Sequence, residues 1–63
     1  MNTQLELISE AKRSLNGYIS SGIAGLFVKA TDRLNACGIN VCGWEATKGN
    51  AEHLLEHLRI NGW

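Results

Sequence analysis

Proline is absent from these 63 residues, net charge is zero, and no long apolar run interrupts the chain. Each absence excludes something. A neutral chain lacks the basic footprint that a phosphate-backbone binder needs, so nucleic acid is not expected among its partners. It also lacks the polybasic run that draws proteins to anionic lipid. The longest charge-free stretch lies between Arg13 and Lys29 and holds Ser14, Asn16, Ser20, Ser21 and three glycines. At ~1.5 Å per residue it falls short of a bilayer core of ~30 Å, so no membrane span is expected. The start, MNTQLELISEAKR, has acids and no apolar core of the kind a signal peptide carries. Two cysteines in that setting read as reduced cytosolic thiols.

Apolar residues make up 44% of the chain and charged residues 19%, which argues for a folded domain. A single domain of this size is marginal unless a metal, a disulfide or a second chain adds burial. Thr3-Gln4-Leu5-Glu6 fits a capping box. Leu5, Ile8, Ala11, Leu15, Ile19, Gly22, Ile23, Leu26, Ala30 and Leu34 then recur at helical spacing. Gly38 suits the left-handed position after a helix, with Ile39 packed back on Leu34. The pattern predicts one long helix over about 3–37, with a break at Asn16-Gly17 as the competing reading. Residues 39–46 alternate like a strand, with Ile39, Val41 and Gly43 to one side and Asn40, Cys42 and Trp44 to the other; a loop is the alternative. Asn50 is a good cap for a second helix over about 50–61. Its apolar face is Ala51, Leu54, Leu55 and Leu58, and its end repeats the first: Gly62, then Trp63 over Leu58.

Cys37, Cys42, His53 and His57 raise the possibility of a zinc-bound nucleic-acid module. Their spacing is C-x4-C-x10-H-x3-H, whereas a finger wants about twelve residues between the second cysteine and the first histidine. The helix argues against it more firmly. At about 100° per residue, both histidines point roughly 110–150° away from the apolar face, beside Glu52, Glu56 and Arg59. A finger helix turns its histidines inward. The favoured reading has no metal, no cofactor and no catalytic residue. A Cys–His pair here has no oxyanion hole or orienting group.

The apolar residues instead suggest assembly. A lone strand leaves unpaired backbone groups on both edges, and a second copy could pair with it as a two-stranded antiparallel ribbon. Between Gly17 and Val28 the long helix has no charge on any face and should be buried all round. Gly17, Ser21 and Gly25 fall nearly opposite the main stripe, where small residues allow another backbone to approach. Lys12 and Arg33 intrude on the stripe and would have to snorkel. The expected fold is therefore mainly α: long helix, short strand, second helix, assembled as an intertwined homodimer. Gly17, Ser21, Gly25, Leu26, Ile39 and Val41 would form its interface. An apolar groove carrying Phe27, Trp44, Leu54, Leu58 and Trp63 would receive a helix of a partner protein.

The length, the start TQLELISEAKR, the segment GINVCGW and the close AEHLLEHLRINGW give the whole chain a further meaning. It resembles the small early-region proteins of lambdoid temperate bacteriophages that are encoded between the exonuclease and excisionase genes, among them a 63-residue open-reading-frame product. The resemblance implies expression in the cytoplasm of the infected bacterial host, a dimeric helical fold and a part in driving infection toward lysis. It implies no enzyme chemistry, and it carries no functional residues over. The expected function is that of a small non-enzymatic interaction module acting on a host or phage protein.

Overall fold

Gly22 sets the topology. In the computed structural model, which describes residues 3–41 and 43–63, this glycine adopts φ 76° and its N–H donates to the Tyr18 carbonyl at 2.7 Å. That is the single-bond left-handed way of ending a helix. Ile23 is extended, with φ −79° and ψ 107°, and the chain reverses. The expected long helix is therefore two: α1, Thr3–Ser21, and α2, Ala24–Ala36. The competing break at Gly17 is not used, and α1 runs through it. Ser21 serves both sides of the elbow. Its hydroxyl donates to the Gly17 carbonyl at 2.7 Å and accepts from the Ile23 N–H at 3.3 Å.

Folding back answers the question that the charge-free stretch raised. The stripe on α1 meets the stripe on α2 of the same chain. Ile8, Ala11, Leu15 and Tyr18 are buried with Phe27, Ala30 and Leu34 in one cluster. The Tyr18 and Phe27 rings meet edge to face at 5.5 Å, an arrangement the ring quadrupoles favour. Leu26 lies so close that a Cβ on Gly17 would stand 3.2 Å from its Cδ1. Gly17 thus does admit a close neighbour, but that neighbour is the next helix of the same chain. Arg33 reaches Glu10 across the pair at 2.9 Å. At the far end the Gln4 amide donates to the Cys37 carbonyl at 3.2 Å. These contacts make α1 and α2 an antiparallel hairpin.

The C-terminal caps are as the sequence predicts. Gly38 has φ 88° and Gly62 φ 83°. The Ile39 N–H donates to the Leu34 carbonyl at 3.0 Å and the Trp63 N–H to the Leu58 carbonyl at 2.9 Å. Gly38 and Gly62 complete the motif by donating to Asn35 and Arg59. Each is a Schellman ending, with the residue after the glycine folded back over the last turn.

The expected strand over 39–46 is not formed among the described residues, where all regular structure is helical. Gly43 is the reason. Its φ of 84° breaks the alternation, so Val41, buried, and Trp44, half-buried, both pack toward the core. Backbone groups here are satisfied locally instead of by a ladder. The Val41 N–H donates to the Asn35 side-chain oxygen at 3.1 Å. The Glu45 carbonyl accepts from the Thr47 N–H and the Asn50 side chain, both at 2.9 Å. The segment is a strap along the hairpin. It starts beside Gln4 and ends where Tyr18 Oη donates to the Ala46 carbonyl at 2.7 Å. The helix between those two contacts spans about 21 Å, and residues 37–46 can reach about 30 Å when stretched.

The strap delivers α3, Lys48–Ile60, to the C-terminal end of α1, against which it packs. Its cap is Thr47, whose hydroxyl accepts from the Asn50 N–H at 3.1 Å, not the expected Asn50. The helix therefore starts at Lys48, ahead of the expected residue 50. Ala51, Leu54 and Leu58 complete the core, as their spacing implied.

One chain closes this core. Its radius of gyration is 10.5 Å, against about 10.6 Å for a compact domain of this length. Its accessible surface is 4015 Å², against about 4000 Å² for a folded monomer of this mass. With no strand to pair among the described residues, the two-stranded ribbon loses its basis. With the long helix folded on itself, so does the need for a second copy to complete the core.

The elbow predicts the sign of one substitution. No atom lies within 4 Å of a Cβ built on Gly22, so Gly22→Ala meets backbone strain alone. It should destabilise the chain by about 1–2 kcal/mol in urea unfolding. In a continuous helix the same change would stabilise by about 0.5–1 kcal/mol.

Candidate functional site

The residues expected to line a groove divide by depth. Phe27, Leu54 and Leu58 are at most 2% exposed and belong to the core. Trp44 and Trp63 are half-buried and pack against it. Trp63 is held over the last turn of α3 by its own backbone bond to Leu58. Phe27, Leu54 and Leu58 thus pack inside the core at positions that were expected to line a groove.

The expected dimer-interface residues scatter in the same way. Gly17 and Leu26 meet inside the α1–α2 hairpin. Ile39 and Val41 anchor the strap. Only Ser21 and Gly25 remain exposed, at the elbow. Of the two charges expected to snorkel, Arg33 is half-exposed and paired with Glu10, and Lys12 is partly buried on α1.

His53 and His57 lie on the solvent face of α3, as their helical angles implied. His53 packs on Trp44 with ring centroids 5.3 Å apart. His57 accepts the Asn61 side chain at its carbonyl, 2.7 Å away. Cys37 is partly buried, with its thiol 3.6 Å from the Gln4 carbonyl. Among the described residues no three side chains of metal-ligating type come together; Cys42, the remaining member of the candidate zinc set, lies outside them. Among the described residues, the charges that perturb each other are also on the surface of α3. The Arg59 guanidinium hydrogen-bonds Glu56 and holds its carboxyl below the usual range, while Glu56 raises Arg59 in turn. Any stability this pair adds is present above the ordinary carboxylate pKa and lost as pH falls through the lowered one. Both groups are fully solvated, so screening keeps the effect small.

Two surface features were not anticipated. The elbow leaves Ile23 and Val28 more than half exposed, next to exposed Ala24 and Gly25. Helical periodicity had assigned Ile23 to the buried stripe, and the Ser-Gly pair before it was the available sign that the helix ends there. The second feature is an open depression of about 540 Å³ lined by Gly43, Trp44, Glu45 and Asn50, where the strap turns into α3. Among the described residues no helix is long and apolar enough to cross a membrane.

Comparisons with protein-family models, curated proteins and solved structures return no match to this chain.

Core and surface positions should respond differently to truncation. Leu58→Ala should cost about 2–5 kcal/mol of unfolding free energy. Ile60→Ser, at a residue 72% exposed, should stay within about 0.5 kcal/mol of the parent. Chemical denaturation of the two variants checks both.

Proposed function

We propose that this chain is a small non-enzymatic interaction module of the lambdoid-phage early type, favouring lytic development by binding a host or phage protein in the cytoplasm of the infected bacterium. The observation that supports this best is the elbow. Ile23 and Val28 stand exposed in a stretch with no charged residue from Ser14 to Val28. Exposed apolar side chains with small neighbours suit a contact surface. Because Phe27, Leu54 and Leu58 are core residues, the mode of recognition differs from the helix-in-groove first expected. The chain offers a ridge to its partner. In this reading a homodimer is an association of already folded copies, not an exchange of elements. The phage setting rests on the segments TQLELISEAKR, GINVCGW and AEHLLEHLRINGW.

A double variant separates binding from folding. Ile23 caps α2 without any side-chain hydrogen bond, so Ile23→Asp supplies a missing cap and should raise stability by about 1 kcal/mol. Combined with Val28→Lys, it removes the apolar ridge. Immobilised parent protein should capture a defined protein from lysate of infected bacteria, and the equally helical double variant should capture at least about tenfold less. Equal capture by both would overturn the assignment of the surface.

A further inference from the structure

The depression at the junction of strap and α3 has a chemistry of its own. Its walls are Gly43, Trp44, Glu45 and Asn50. The turn at Gly43, with φ 84°, is a conformation that only glycine takes without strain. The next residue, Trp44, is half-buried, packs against the core and also lines the depression. His53 packs against that indole and fixes it. The Glu45 main chain is fixed as well. Its carbonyl receives both the Thr47 N–H and the Asn50 side-chain N–H. The Glu45 carboxylate is exposed and enters no ion pair among the described residues. The Asn50 amide donates one of its two N–H groups to the Glu45 carbonyl, which leaves its oxygen and its second N–H for other partners.

An aromatic, an acidic and an amide residue therefore line one space. Its side-chain donors are the indole N–H and the second N–H of Asn50; its acceptors are the Asn50 oxygen and the Glu45 carboxylate, which is the charge among its lining residues. The matching ligand is a planar cation with several donors. We propose that this depression receives the guanidinium of an arginine on a partner protein, stacked on Trp44 and hydrogen-bonded to Glu45 and Asn50. An arginine fits better than a lysine because its flat delocalised charge can lie on the indole while its edge meets the acceptors. Both contacts are partly solvated, so a single arginine binds weakly and acts as one anchor of a larger surface. The inference deepens the proposed role in protein binding and rests on it for the partner. Its chemistry is testable without the partner.

The test is a titration of the isotope-labelled full chain with N-acetylarginine amide, followed by NMR at the indole N–H of Trp44 and the side-chain amide of Asn50. Trp63 is the internal control. The shifts should saturate with a dissociation constant in roughly the millimolar range. N-acetyllysine amide should bind at least about threefold more weakly, and the neutral isostere N-acetylcitrulline amide should give no saturable shift. Glu45→Gln, a change at an exposed side chain, should leave the spectrum folded and weaken arginine at least about fivefold. The inference is overturned if Trp44 and Asn50 do not move at about 50 mM arginine amide, far above a millimolar constant. It is also overturned if citrulline matches arginine, if Trp63 moves equally, or if Glu45→Gln changes nothing. A failed lysate capture with a successful titration would instead count against the elbow surface alone.

Discussion

The reversal at Gly22 is the constraint on which the rest depends. A helix carrying an apolar stripe from Ile8 to Leu34 cannot bury it alone, and a straight rod would leave a long seam open to water. A positive φ at one glycine turns that rod into a hairpin, and the stripe then covers itself. The reversal also places Tyr18 beside Phe27 and brings Gln4 to Cys37. Everything downstream uses those positions. The strap starts from the Cys37 end, and Tyr18 Oη fixes the other end of it at Ala46. The entry point of α3 is set by that bond.

Helix α1 carries a double load. It packs against α2 and against α3, and the small side chains Ala11 and Ser14 are buried on it. Short side chains let two helices approach one without voids. No buried side-chain polar atom among the described residues lacks a hydrogen-bond partner, so the close approach does not strand polar groups in the core. The strap follows the same economy. Asn35, Asn50 and Tyr18 satisfy its backbone from the side, and it lies against the hairpin without needing a second strand.

The sequence was legible wherever local chemistry alone decides the structure. Gly38-Ile39 and Gly62-Trp63 each follow a leucine at the right spacing, and both endings form as read. The solvent face of α3 was legible from the angles of His53 and His57. Legibility failed where two local signals conflict. Gly22 sits in phase with the apolar stripe, and Ile23 continues that phase, so periodicity concealed a terminus. The αL ending there uses one bond and no apolar clasp, since Ile23 is exposed. Residues 39–46 failed for a related reason. Alternation predicts a strand, but the positive φ of Gly43 interrupts it, and pairing depends on a partner strand that no local pattern can supply. Phe27, Leu54 and Leu58 were expected beside a groove and lie in the core, because periodicity marks an apolar face without saying whether the same chain covers it.

The functional reading changes with the elbow. A straight helix would have asked a second copy to complete the core. A hairpin closes the apolar stripe within one chain. That claim has a direct test. Isotope-filtered NOE spectra on a mixture of labelled and unlabelled chains distinguish contacts within a chain from contacts between chains. The account predicts that the Tyr18–Phe27 ring contact, at 5.5 Å, appears in the uniformly labelled sample and is missing from the filtered spectrum of the mixture. A strong Tyr18–Phe27 cross-peak in the filtered spectrum would show the helices exchanged between copies and would contradict it.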